Sequence, residues 1–274
     1  MLARFSELLR EAREGGGAVG AFTCYNLETA AGVLRAAEAR RCGVMLLVSP
    51  QSFSAPGGPL LLAALVAAAA RSRTRACVQL DHAREPGPIE AAFELGAGAV
   101  LADGSRLPLA ENAEFVRAAA RGGEVEAELG GIEGQEDVAM AAAAGALTDP
   151  DEAAWLAEHA PVTCLAASIG NVHGVYERPP ALDWPRLEQI RRRVSVPLSL
   201  HGASGLPGGD LRRAIELGVA KINVNTELRV GYLDATAQHL EAAQEGARVL
   251  ELNLAQAEAV EAVVAAKLDL FAVS

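Results

Sequence analysis

Only five histidines occur in the 274-residue chain, and three of them, His82, His173 and His201, stand at or just after the end of a short apolar run. A neutral imidazole is a zinc ligand. Three converging on one opening leave a coordination position for substrate, as a catalytic zinc requires. Taken singly, a histidine in such a place is more often a hydrogen-bonding core or rim residue; three in equivalent places, with Asp and Gly nearby, favour a metal. His159 and His239 lie in helical segments without that context. Glycines follow two of the three, in His173-Gly174 and His201-Gly202-Ala203-Ser204-Gly205. Open turns of this kind point N–H groups at an anion, and Asn225-Thr226 at the start of a helix can add donors.

Carboxylates flank the same places. Asp81 precedes His82 and is either an acid/base or an orienter of its neighbour. Asp103 and Glu128 either ligate a metal or satisfy buried backbone. Glu136 falls in a glycine-rich stretch, 130–147, too long for an ordinary strand-to-helix loop and read as a mobile flap. A glutamate in a loop is commonly just a solvated charge. One chemistry is disfavoured outright. The chain has two lysines, Lys221 opening the apolar run KINVN and Lys267 in a C-terminal helical segment, and neither position suits a Schiff base.

Such residues need a scaffold that brings distant segments to one opening. Eight candidate strands recur along the chain, at 18–22, 44–48, 76–80, 99–102, 125–129, 162–169, 196–201 and 220–224. Segments of helical spacing alternate with them, which predicts a (β/α)8 TIM barrel with an extra N-terminal helix and a C-terminal helical extension after residue 226. No GxGxxG follows the first strand, so a dinucleotide-binding sheet is disfavoured. Asp149-Pro150 and Asp183-Trp184-Pro185 read as helix starts. No linker or repeat divides the chain, and residues 1–274 are read as one domain.

The composition agrees with an enzyme of small molecules. Against 24 Lys and Arg stand 35 Asp and Glu, a net charge of −11. That disfavours a nucleic-acid surface or docking to an anionic membrane, while leaving room for a small phosphorylated ligand. The longest apolar run, 60–70, is too short to span a bilayer. The N-terminal segment has no signal-peptide core, and four scattered cysteines without a CxxC pair fit reduced thiols in the cytoplasm.

Seven short motifs in order carry a resemblance. LDH at 80–82, ADGS at 102–105, VEAELG at 125–130, GQED at 134–137, SIGNVHG at 168–174, LHGASG at 200–205 and KINVNTEL at 221–228 resemble the class II, zinc-dependent ketose-bisphosphate aldolases. These include the fructose-bisphosphate and tagatose-bisphosphate aldolases. The resemblance implies that His82, His173 and His201 bind Zn2+, with Asp103 and Glu128 at a buried or secondary metal position. It implies that Asp81 serves the C4 hydroxyl of the ketose and that Glu136 exchanges the proton at C3 of dihydroxyacetone phosphate. Gly174, Gly202, Ser204 and Thr226 match the phosphate pocket, with a monovalent cation, Na+ or K+, often nearby. Asn223 matches the residue supporting the enediolate, and Asn26 and Ser49 match the lining of the aldehyde half.

The sequence also departs from that pattern. Position 225 is Asn, where Asp and Ala are also common, and Ala203 replaces a frequent Gly. Arg248 matches an arginine that reaches the second phosphate in a neighbouring subunit, which implies a homodimer or homotetramer, but it lies in Gly246-Ala247-Arg248 rather than the usual context. The expected activity is reversible aldol cleavage of a ketose (bis)phosphate to dihydroxyacetone phosphate and an aldehyde. The alternatives are an aldolase on another phosphorylated ketose, a related barrel metalloenzyme using zinc-bound hydroxide, and a non-catalytic sugar-phosphate-binding barrel.

Overall fold

The computed structural model describes residues 1–131, 145–174 and 180–272. In the first half, α1 (Phe5–Glu14), β1 (Val19–Thr23), α2 (Leu27–Arg40), β2 (Val44–Val48), α3 (Pro50–Ser54), α4 (Gly58–Arg71), β3 (Ala76–Ala83), α5 (Pro86–Glu94), β4 (Ala99–Ala102) and α6 (Leu109–Ala119) follow in order. Then come β5 (Glu124–Leu129), α7 (Pro150–His159), β6 (Cys164–Ala167), α8 (Trp184–Arg193), β7 (Leu198–Leu200), α9 (Gly208–Glu216), β8 (Val219–Val224), α10 (Thr226–Gly246) and α11 (Val249–Phe271). The eight strands close into a parallel barrel in chain order, β1 pairing with β8. The expected architecture is therefore observed, including α1 before the barrel and the α10–α11 pair after it. The sixth and seventh strands are shorter than their apolar runs, because the ends of 162–169 and 196–201 turn into loops.

Strand residues alternate between two apolar clusters, as a period of two demands. Phe22, Leu46, Val78, Val100, Val125 and Leu165 belong to the layer beneath the helices. Ala21, Met45, Leu47, Cys77, Ala99 and Cys164 belong to a second cluster that also contains Phe5, Leu8 and Leu9 of α1. That helix is the plug closing one end of the barrel. Ser6 fastens it to Glu124 at the start of β5, through its hydroxyl at 2.5 Å and its N–H at 3.0 Å. Continuing the inward parity toward the other end gives Gln79, Asp81, Glu126, Glu128 and Asn223, all buried. The barrel interior is thus apolar at the plugged end and polar at the mouth.

Helix starts follow the sequence signals. Asp149 accepts N–H bonds from Asp151 and Glu152, Asp183 accepts one from Arg186, and Asn26 forms a capping box with Thr29. α11 packs back against α2, where Gly32 permits the approach. A Cβ there would lie 2.6 Å from the Ala257 carbonyl oxygen and 2.8 Å from Val260 Cβ. Among the described residues, no helix is long and apolar enough to cross a membrane. Cys24, Cys77 and Cys164 are buried free thiols and Cys42 is a partly buried one.

Candidate active site

His82, His173 and His201 leave the barrel from β3, from the loop after β6 and from the end of β7. Their ring centroids lie 4.9, 4.9 and 6.0 Å apart, and all three are buried. One ligand nitrogen from each lies within 4.8 Å of the others. His201 Nδ1 is 3.0 Å from His82 Nε2, close to the roughly 3.3 Å between two nitrogens of a tetrahedral zinc with bonds of about 2.0–2.1 Å. The donor set therefore fits zinc. Burial, with the like charge of neighbouring imidazoles, pushes the His173 pKa well below the ordinary histidine range, and burial lowers that of His201 as well. Both rings stay neutral near pH 7, as ligands must.

The backbone at His82 explains how adjacent residues serve one site. In a regular strand Asp81 and His82 would point to opposite faces. Here the β3–β4 register shifts between Leu80 and Ala83, and His82 adopts a left-handed conformation with φ of +41°. The bulge re-aims His82 into the histidine cluster. Asp81 groups with Glu126 and His201, while His82 groups also with Asp103 and Glu128.

The carboxylates occupy distinct environments. Burial opposes ionisation of Asp103, but a hydrogen bond from His82, Ser105 at 2.5 Å and Arg84 at 2.8 Å outweigh it and hold the group well below the usual range. Burial instead pushes Glu128 up to about 8, only partly countered by His82. Glu128 Oε2 lies 3.3 Å from His82 Nδ1, while Asp81 Oδ1 is buried without a hydrogen-bond partner among the described residues. Such an open acceptor suits a cation or a substrate proton.

Two glycine turns border the histidines. Gly174 and Gly202 have φ of +105° and +61°, and a Cβ on Gly202 would lie 2.0 Å from the Val172 carbonyl oxygen. Ser204 Oγ accepts from Asn225 N–H at 3.2 Å, Thr226 Oγ1 donates to the Gly174 carbonyl at 3.4 Å, and Tyr25 Oη donates to Asn225 Oδ1 at 3.0 Å. Asn26 and Ser49 cap α2 and α3 at the mouth; Asn26 also donates to Tyr232 Oη at 2.9 Å. A cavity of about 430 Å3, bordered by Arg84, Ser105, Arg106, Gly131 and Asp149, opens beside the ends of β3–β5. Arg248 is exposed between α10 and α11, where it meets the Ala242 carbonyl and Glu251 of that same hairpin. Glu136 lies outside the described residues.

Sequence reasoning passed over Glu126, Lys221, Gln79 and Asn171. Asn171 is fully buried; its amide accepts from Ile169 N–H and donates to the His201 carbonyl, joining the loops after β6 and β7. Lys221 is fully buried with Nζ 2.7 Å from Glu126 Oε2. Burial disfavours its charge, but Glu126 and Asp81 prevail and raise its pKa. A lysine so held cannot supply the free amine a Schiff base needs. Parity from β5 and β8 could have marked both residues as inward-facing.

The family described as class II fructose-bisphosphate aldolase matches residues 3–274 in sequence. The chain belongs to this aldolase family. Among solved structures, the YdjI aldolase from Escherichia coli K12 is 30% identical, covering 99% of this chain and 97% of its own, with a TM-score of 0.87. A putative fructose-1,6-bisphosphate aldolase from Coccidioides immitis is 31% identical, covering 98% and 96%, with a TM-score of 0.86. The fructose-bisphosphate aldolase of Campylobacter jejuni shares the fold, with a TM-score of 0.81 at 19% identity, covering 98% and 95%. With this membership and its buried cluster of candidate metal ligands, the chain is a class II aldolase, a carbon–carbon lyase acting on a phosphorylated ketose.

Proposed function

We propose that this aldolase reversibly cleaves fructose-1,6-bisphosphate or tagatose-1,6-bisphosphate to dihydroxyacetone phosphate and an aldehyde. The observation that carries the reading is the meeting of three buried histidines with a buried Asp81, whose Oδ1 has no hydrogen-bond partner among the described residues, beside two glycine turns. The name of the Coccidioides immitis relative supports a bisphosphate substrate.

His82, His173 and His201 would hold the zinc, which would supply Lewis acidity for the carbanion that cleavage leaves beside a carbonyl. Asp81 takes the C4 hydroxyl proton through its open Oδ1, while Asn223 holds Oδ2 at 3.0 Å. Glu136, assigned from its sequence match, returns a proton at C3. Gly174, Gly202, Ser204 and Thr226 hold the phosphate of the dihydroxyacetone half, with Asn225 and a monovalent cation nearby. Asn26 and Ser49 line the aldehyde half. Asp103 and Glu128 form the secondary metal position with His82, for which their clustering speaks. Arg248 reaches the second phosphate of a neighbouring subunit in a homodimer or homotetramer of a cytoplasmic, single-domain enzyme.

A coupled assay of dihydroxyacetone phosphate release from both bisphosphates, with and without chelator, tests the reading. Release should vanish on chelation and return with Zn2+; full activity in metal-free protein would refute it. Asp81→Asn should lower cleavage by about 10²–10⁴-fold yet leave solvent hydrogen exchange into dihydroxyacetone phosphate, whereas Glu136→Gln should suppress both. Wild-type exchange in zinc-loaded Glu136→Gln would remove Glu136 from its role.

A further inference from the structure

Beneath the three histidines the barrel interior carries a connected set of buried polar side chains from β3, β5 and β8, joined to His201 just after β7. Lys221 Nζ lies 2.7 Å from Glu126 Oε2 and donates to Asn223 Oδ1 at 2.6 Å. Gln79 Nε2 also donates to Glu126 Oε2, at 2.7 Å. Glu126 Oε1 meets His201 Nε2 at 2.9 Å, and Asn223 Nδ2 donates to Asp81 Oδ2 at 3.0 Å. Lys221, Glu126, Gln79 and His201 are wholly excluded from solvent and Asn223 is nearly so. A buried ion pair is poor value as a source of stability, because desolvation consumes most of the attraction. The layer beneath is filled by Leu47, Met45 and Ala99, so the barrel accepts apolar residues. The pair needs another reason.

We infer that Lys221 is a positioning residue that sets, through Glu126 and Asn223, both the tautomer of the metal ligand His201 and the presentation of Asp81. An ammonium only donates hydrogen bonds and a carboxylate only accepts them, so Lys221 and Glu126 fix the sense of every bond joined to them. Because Glu126 Oε1 accepts, the His201 proton sits on Nε2, and Nδ1 keeps its lone pair for the cluster, 3.0 Å from His82 Nε2. Because Asn223 Oδ1 accepts from Lys221, its amide cannot turn over, and Nδ2 is the group that faces Asp81. That donor engages Oδ2 and leaves Oδ1 without a partner among the described residues. With a neutral side chain at 221, the Asn223 amide could flip and Glu126 Oε2 would lose one of its two donors, leaving only Gln79 there.

The inference rests on the metal and Asp81 assignments proposed above, and the test separates the two. Zinc affinity of the purified enzyme is measured by chelator competition, and kcat and KM are measured at saturating zinc. Lys221→Met is expected to weaken zinc binding about 10–100-fold, the usual effect of losing an outer partner of a metal ligand. At saturating zinc its kcat should still fall at least about tenfold with KM nearly unchanged, through the Asp81 arm. Should Lys221→Met fail to fold, Lys221→Met/Glu126→Gln, which leaves no orphaned charge, takes the same measurements. Lower thermal stability with wild-type zinc affinity and kcat overturns the inference, and so does a loss confined to one arm. If the wild-type enzyme itself shows no zinc affinity dependent on His173, the metal reading fails, and the inference with it.

Discussion

At the residue scale, a few ångströms decide which carboxylates carry charge. Asp103, fastened by Arg84 and Ser105, stays ionised, whereas burial, with Asp103, Asp81 and Glu126 nearby, pushes Glu128 up to about 8 against the pull of His82. The consequence belongs to the metal-free protein. Between its ordinary value of 4.5 and about 8, Glu128 is protonated in the folded chain and ionised in the unfolded one. The folded state then binds more protons, so stability falls as pH rises through that window. Glu128→Gln lacks this slope. In chelator-treated samples its advantage in unfolding free energy over wild type should grow from pH 5 to pH 9, reaching on the order of a few kcal/mol; a constant difference would show that Glu128 is not held protonated. His173 and His201 act with the opposite sign. Their depressed pKa values place their loss of stability below about pH 6.5, where the unfolded chain takes up protons that the folded one does not.

At the scale of elements, the site depends on what closes the other end of the barrel. α1 inserts Phe5, Leu8 and Leu9 into the inward cluster of the strands, and none is more than 2% exposed. Truncating Leu9→Ala leaves a cavity beneath the polar layer and should cost about 2–5 kcal/mol in urea unfolding, with zinc content retained below the transition. A cost under about 1 kcal/mol would mean that α1 is not the plug the packing describes. The loop after β7 works under a tighter constraint. Gly202→Ala would set a Cβ against the Val172 carbonyl in a left-handed backbone. It should distort the turn directly, raising KM for substrate at least about tenfold if the turn's N–H groups hold the phosphate. An unchanged KM would remove that turn from phosphate binding.

At the scale of the whole molecule, α10 and the first turns of α11 carry exposed Val230, Leu233, Leu240, Val249, Leu250 and Leu254, while the rest of α11 packs into the core. Apolar side chains gathered on one helical pair of an otherwise acidic protein favour self-association. Leu233→Glu/Leu250→Glu should shift the enzyme toward monomer in sedimentation while leaving the barrel folded. An unaltered mass would place the interface elsewhere. Arg248 lies on this hairpin, turned to the Ala242 carbonyl and to Glu251. If it serves a neighbour's second phosphate, Arg248→Ala should cost about 1.5–3 kcal/mol in kcat/KM for a bisphosphate and little for a monophosphate. Equal losses would show that the match at this position is accidental.

The sequence by itself determined the strand order, the helix starts at Asp149 and Asp183 and the three histidines, because these are written in local periodicity and in residue types few enough to stand out. It also carried the family motifs, which marked Asp81 and the glycine turns. Tertiary structure decided what depends on closure of the barrel. The bulge at His82 brings neighbours of opposite parity into one site, and the charged pair of Glu126 and Lys221 meets only when β5 and β8 face each other across the interior. Lys221, read from its apolar run, looked like an unpromising residue because hydropathy records neighbours along the chain. The partners that make a buried charge tolerable come from other strands, and their identity follows from barrel closure.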